Sequence, residues 1–343
     1  MKKLLFVLLG TALLAAACGD DTTSTTTTTT TVASDADSES MMDEESTTTT
    51  AADGDKPEIV LVTNPWTASY LNVSVASQLI ESELGYPTDV INIDENEAMY
   101  IGLADGELDA VLEIWPSGIT ETEQAFFDDG GVTNIGELGT VGKIGWFVPD
   151  YVVEENPELA TWEGYSSSAA ADLFATTETG DNGRFLGTDP SYSQFDEQII
   201  NNLGLPFEVI FSGTEAATVA ELDARVSANE PILLYWWTPT AAVSQYNLVN
   251  VPLPEIDADC EASIKNEDGG VDCDYPEDVL FKAASAGLEQ KAPDVWSFLQ
   301  KFTITTEDQL SMLPPVELDG EDVDAVAAQW IADNESKWSA WLS

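Results

Sequence analysis

The chain has 343 residues, with 63 acidic against 11 basic side chains, a formal net charge of −52 and 43% hydrophobic content. That balance excludes nucleic acid as a partner, because phosphate binding needs a basic face. There is no histidine, which removes the commonest acid–base catalyst, the Ser-His and Cys-His dyads and the commonest metal ligand. The carboxylate excess fits either adaptation to salty surroundings, where repulsion is screened, or a bias of the whole lineage.

Residues 1–17 have the form of an export signal. Lys2 and Lys3 open it, Leu4 to Leu14 is apolar, and Ala15-Ala16-Ala17 supplies the small residues before a cut. The apolar stretch is too short to span a bilayer as a mature helix. Cys18 follows at once and resembles the bacterial lipobox, in which the thiol is diacylated and becomes the new N-terminus; an ordinary secretory cut with an incidental Cys is the alternative. Residues 18–55 are low in complexity, with unbroken threonine at 25–31 and 47–50 and Asp or Glu between. So few apolar groups cannot offset ordering entropy, so the segment reads as a disordered tether.

The folded part spans 56–343. Glu58 to Thr63 reads as a strand. Ser69 to Leu84 carries apolar residues at 71, 75, 76, 79, 80 and 84, a helical stripe closed by Gly85. Val90 to Ile93 is a second strand, Asn96 to Ala104 a second helix and Leu108 to Trp115 a third strand. This alternation predicts an α/β fold with a parallel sheet covered on both faces, whose ligands sit beyond the carboxyl ends of the strands. Lys143 to Val148 carries the chain into a second lobe. Pro157 to Ala175 is helical in parts, Gly180 to Pro190 is loop-like, and Phe195 to Leu203 is a helix stopped by Gly204. Phe207 to Phe211 is a strand and Glu215 to Ala228 a helix. Pro231 to Trp237 is a buried strand that Pro239 ends. Val251 to Pro276 is irregular, and in an exported chain its Cys260 and Cys273 are expected to pair as a disulfide. From Pro276 onward helix dominates, with amphipathic stretches at Asp294 to Phe302 and Asp322 to Trp341. Their Trp296, Trp330, Trp338 and Trp341 are assigned to packing.

No Gly-x-Ser-x-Gly elbow, Walker-type loop, His-Glu-x-x-His or Cys-x-x-Cys occurs. Carboxylates are abundant, and none stands out as a catalytic pair. Four tryptophans share a more specific setting, at or near the end of an apolar segment beside a proline: Trp66, Trp115, Trp146 and Trp237. A quaternary ammonium offers no donor, and its diffuse charge suits a box of aromatic faces. The rivals are a secreted carboxylate-dependent hydrolase and a surface protein-interaction module.

Several segments together resemble the glycine betaine/proline betaine/choline substrate-binding proteins of ABC importers. They are Trp66-Thr67-Ala68-Ser69, Leu108 to Trp115, Gly145-Trp146-Phe147-Val148-Pro149-Asp150-Tyr151, Gly187-Thr188-Asp189-Pro190-Ser191-Tyr192 and Trp237-Thr238-Pro239. The resemblance covers about 57–343. It implies a periplasmic-binding-protein fold: two α/β lobes joined by a hinge, with the ligand cleft between them. Lobe 1 is expected at about 56–143 plus about 250–343, and lobe 2 at about 144–249. It implies an aromatic cage drawn from Trp66, Trp115, Trp146, Trp237 and Tyr192, with Trp236 packed behind Trp237. Ala68 stands where choline binders have Asp, which tilts the ligand toward a betaine. No His follows Trp237-Thr238-Pro239, so the ligand carboxylate is expected on backbone N–H groups at Ala68 and Ser69, with Arg184 a weaker candidate in an exposed loop. The expected protein is a lipid-anchored extracytoplasmic monomer. It uses no cofactor or metal, catalyses no reaction and delivers its ligand to an ABC permease. With no histidine, binding is expected to change little between pH 6 and 8.

Overall fold

The computed structural model describes residues 56–192, 195–266 and 268–343. The export signal, Cys18 and the tether lie outside the described residues.

Nine strands form one sheet: β1 (Ile59–Thr63), β2 (Thr88–Asn92), β3 (Ala110–Ile114), β4 (Val132–Pro149), β5 (Gly183–Gly187), β6 (Phe207–Phe211), β7 (Leu233–Thr238), β8 (Leu248–Val251) and β9 (Glu277–Ser285). Their order is β2-β1-β3-β9-β4-β7-β5-β6, with β8 also beside β4. Two groups are parallel, β2-β1-β3 and β6-β5-β7. Between them run β9 and β4, antiparallel to their neighbours. β4 has 18 residues, about 60 Å at 3.3 Å each. Its first part, from Val132 to Lys143, pairs with β9, and Lys143 to Phe147 pairs with β7. β4, directly on β7 and through β9 on β3, thus ties the two parallel groups, and with them two α/β lobes, together.

The first half of β4 was not legible because Gly136, Gly139 and Gly142 interrupt any alternation, and the ladder shifts register twice there. β9 corrects the expectation of helix from Pro276. The loop expected over Gly180 to Pro190 contains β5, a strand buried along its whole length. Its flanking glycines are packing positions. A Cβ at Gly183 would lie 2.4 Å from the Phe207 ring and one at Gly187 2.6 Å from the Phe211 ring. Arg184 is therefore a buried strand residue ion-paired with Glu221, not an exposed loop residue. The single helix expected over Asp322 to Trp341 is broken at Asn334 into Val323–Asp333, Glu335–Trp338 and a 3-10 turn.

The helix Thr67–Leu79 continues through a π turn to Gly85, whose φ of 69° closes it as a left-handed cap. In the C-terminal helices Trp341 packs on Phe298, Phe302 and Trp330. Cys260, in the helix Ala258–Asn266, is bonded to Cys273, with Cα atoms 6.2 Å apart.

Candidate functional site

The carboxyl ends of β1, β3, β5 and β7 converge on one cavity. Its aromatic wall is Trp66, Trp115, Tyr192, Tyr235 and Trp237; Glu95, Ile144 and Ser191 complete much of the rest. About 50 Å³ is open to the centre of a water-sized sphere, several times what one water requires. The rings hold one another edge to face. Trp66 meets Tyr192 at 5.6 Å between centroids and 81° between planes, and Tyr192 meets Trp237 at 5.7 Å and 84°. The first contact joins the β1 end to the β5 end, across the two parallel groups. Tyr235 stands two residues before Trp237 on β7 and so faces the same way. Trp236 is wholly buried and stacks at 4.6 Å on Trp237, off the cavity wall. Its Nε1 donates to Thr240 Oγ1.

Two of the rings are gripped from behind. Glu113 is 1% exposed in the middle of β3. Its Oε1 accepts from Trp66 Nε1 at 2.7 Å and from Trp115 Nε1 at 3.1 Å. Its Oε2 accepts from Asn72 at 2.6 Å and Gln309 at 3.3 Å. Trp115 also packs closely on β4 at Gly142, where a Cβ would come within 2.3 Å of the indole. Burial pushes the Glu113 carboxyl up to about 7, against the four hydrogen bonds that favour its anion. Glu95, exposed only in part, accepts from the Trp115 backbone N–H. Burial, with Glu123, Glu113 and Asp278 nearby, holds its carboxyl well above the usual range. The expectation of pH-insensitive binding rested on counting histidines. It left out these buried carboxylates, which burial holds above the usual carboxylate range.

Trp146 does not line the cavity. It sits opposite Tyr235 across β4 and β7, two pairs along the ladder from Ile144 and Trp237. There its Nε1 donates to Asp196 Oδ1 at 2.7 Å, and its ring packs on Phe185 at 4.8 Å. Tyr235 takes the place expected for it. Ala68 and Ser69 are buried but off the cavity wall. The start of their helix already has a carboxylate: Glu215 Oε2 accepts from Thr67 N at 2.8 Å and Thr67 Oγ1 at 2.9 Å. A reciprocal contact runs the other way, Glu317 Oε2 accepting from Ala241 N at 2.7 Å. Arg184 is likewise remote from the cavity wall, held by Glu221.

Sequence reasoning missed Glu113, Glu95 and Tyr235. Glu113 did carry a signal, since a lone acid inside Ala110-Val111-Leu112-Glu113-Ile114 cannot be solvated and must find donors. Tyr235 carried one too, by its two-residue offset from Trp237.

A cavity of aromatic faces at the strand ends of two lobes, tied by one shared strand, defines a substrate-binding protein. The sequence profile of the substrate binding domain of ABC-type glycine betaine transport systems matches residues 57–333, and the chain belongs to that family. Members of the family are substrate-binding proteins rather than enzymes. The chain is 28% identical over 297 residues to the trimethylamine N-oxide-binding protein of Pelagibacter ubique (strain HTCC1062), spanning 84% of this chain and 91% of that one. Its fold resembles lactococcal OpuAC in a closed form with glycine betaine (20% identity, TM-score 0.62, 84% of this chain and 100% of that one). It also resembles the glycine betaine/L-proline-binding protein ProX of Borrelia burgdorferi (19% identity, TM-score 0.65, 83% and 97%). A choline-binding protein of an ABC transporter, solved with choline, is similar again (20% identity, TM-score 0.64, 83% and 91%). No described helix is long and apolar enough to cross a membrane.

Proposed function

We propose that the cage of Trp66, Trp115, Tyr192, Tyr235 and Trp237 captures glycine betaine or a closely related small trimethylammonium compound and that the chain delivers it to an ABC permease. The observation that carries this reading is the wall itself: five aromatic rings from four strand ends, with no Lys or Arg among the lining residues and with carboxyls beside and beneath. Each desolvated ring face contributes about 0.5–2 kcal/mol toward a cation, so several together reach micromolar binding after association costs. The Ser191 hydroxyl lines the cavity, buried and without a partner, and supplies a donor for the ligand's anionic oxygen.

A second ligand, trimethylamine N-oxide, is favoured by the small cavity and by Glu95. Burial favours the protonated form of Glu95, which is a donor for an N-oxide oxygen. Lobe 1 comprises about 56–143 and 250–343, lobe 2 about 144–249, and they close about β4 and β9. Glu215 and Glu317 make the cross-lobe contacts of the closed form. Cys18 carries the lipid anchor, 18–55 is the tether outside the cytoplasm, and the chain works as a monomer. Calorimetric titration with glycine betaine, proline betaine, carnitine, choline and trimethylamine N-oxide tests the ligand class. Heat with at least one, and tryptophan emission that shifts on binding, is expected. Silence with all five overturns it.

A further inference from the structure

We propose that Glu113 sets the charge selectivity of the cage: by accepting both indole N–H groups it fixes the faces of Trp66 and Trp115 and makes them more negative, so that the cavity prefers a cation to an uncharged body of the same shape. The proposal rests on the reading that the cage takes a trimethylammonium head.

Glu113 has an unusual set of neighbours for a buried acid. All four hydrogen-bond donors are neutral: two indoles, Asn72 and Gln309. No salt bridge involves it among the described residues. The titratable groups that face it, Glu95 and Glu215, are also acids and offer it no counter-charge. A buried carboxylate without a counter-charge is costly and strengthens when a positive charge arrives nearby. The open space on the far side of the two rings is where such a charge enters. The indoles alone do not call for an acid: both donate to one oxygen, which a neutral amide also supplies, and the Asn72 and Gln309 amides can turn to present their oxygens to its nitrogen. An N–H donated to an anion is a charge-assisted bond and pushes electron density into the indole ring. Cation–π attraction depends on that density. Both indoles share one oxygen, so their planes are fixed relative to each other. Trp115 has no room to swing on the Gly142 side, where only 2.3 Å separates its ring from the place a Cβ would occupy.

The test is run at about pH 8.5, above the value of about 7 to which burial pushes Glu113, so that the wild type carries the charge; it uses Glu113→Gln, which keeps the size and one carbonyl acceptor and removes the charge. Wild type and variant are titrated with glycine betaine and its carbon isostere 3,3-dimethylbutanoate, and with choline and 3,3-dimethylbutan-1-ol. The variant is expected to lose at least about tenfold in affinity for the trimethylammonium compound the wild type binds, while affinity for the isostere stays within about twofold. Equal losses for both members of a pair show that Glu113 only holds the rings, and they overturn the proposal; so does no loss for either. Nitrogen-15 NMR of the indole N–H groups gives a measurement without ligand. Two signals are expected far downfield in the wild type and shifted back upfield in the variant. Their absence from the wild type overturns the grip, and this holds even if the variant does not fold. A wild type that binds no trimethylammonium compound overturns the ligand reading and the selectivity with it. The indole signals tell that failure apart from a failure of Glu113 itself.

Discussion

Asp196 supports the cage from the second layer, and replacing it gives a stability change that can be worked out in advance. The residue is 3% exposed at the start of the helix Asp196–Asn202. Its Oδ1 accepts from Trp146 Nε1 and, at 3.1 Å, from the Tyr275 hydroxyl, while Oδ2 is buried without a partner. Burial pushes its carboxyl from 3.8 up to about 7, in spite of those two hydrogen bonds. The folded state therefore holds this proton more tightly than the unfolded chain. Its contribution to stability is fully present below 3.8 and is lost as pH rises through about 7. That rise is worth about 4 kcal/mol, an upper figure for a buried group. Asp196→Asn keeps an acceptor for both donors and cannot titrate. Its amide nitrogen at the unpartnered position costs about 1–3 kcal/mol, independent of pH. Urea unfolding followed by tryptophan fluorescence at pH 5, 6, 7 and 8 reads the difference between the two proteins. The variant should gain on the wild type by about 1 kcal/mol per pH unit between 5 and 7 and level off above. A gap that stays constant over that range, or narrows, refutes the reasoning.

Gly142→Ala places a Cβ 2.3 Å from the Trp115 ring, and should weaken ligand binding by about tenfold or more while leaving the cooperative unfolding transition in place. Calorimetry and a thermal melt check the two halves of that statement. Trp237→Ala removes a ring from the cavity wall and should cost about 0.5–2 kcal/mol of cation binding. Trp146→Ala empties a core site and takes from Asp196 one of its two donors, so it should cost about 3–5 kcal/mol of stability. Paired binding and unfolding curves on the two variants separate wall from core. Lys282 is fully buried, with its ammonium bonded to the carbonyls of Leu299 and Phe302, and burial lowers it to about 8. The unfolded chain holds that proton more tightly, so stability should rise as pH climbs from about 8 toward 10.5. Lys282→Met should abolish this rise, as denaturant midpoints between pH 7 and 10 will show.

What could be read from the chain, and what could not, follows from how far each feature depends on its neighbours in space. β1, β3 and β7 are continuous apolar runs because both their faces are covered, so burial itself writes them into the sequence. The tryptophans at three of the strand ends were visible for the same reason, each interrupting the chain where a run stops beside a proline. β5 was hidden because Gly183 and Gly187 look like turn residues until the Phe207 and Phe211 rings are found lying on them. Trp146 was misplaced because its sequence setting equals that of the cage residues; only its bond to Asp196 and its contact with Phe185 show that its ring is turned into the core. The acids are the deeper lesson. In a chain with 63 of them, any one Asp or Glu is expected in solvent, and composition argues against looking further. Yet Glu113 and Asp196, each at most 3% exposed, accept the indole N–H groups of Trp66, Trp115 and Trp146. A tryptophan buried beside a cavity must satisfy its N–H, and in a chain without histidine a carboxylate is a ready acceptor with charge to offer. The same acids that solubilise the surface therefore also orient the aromatic wall and its support.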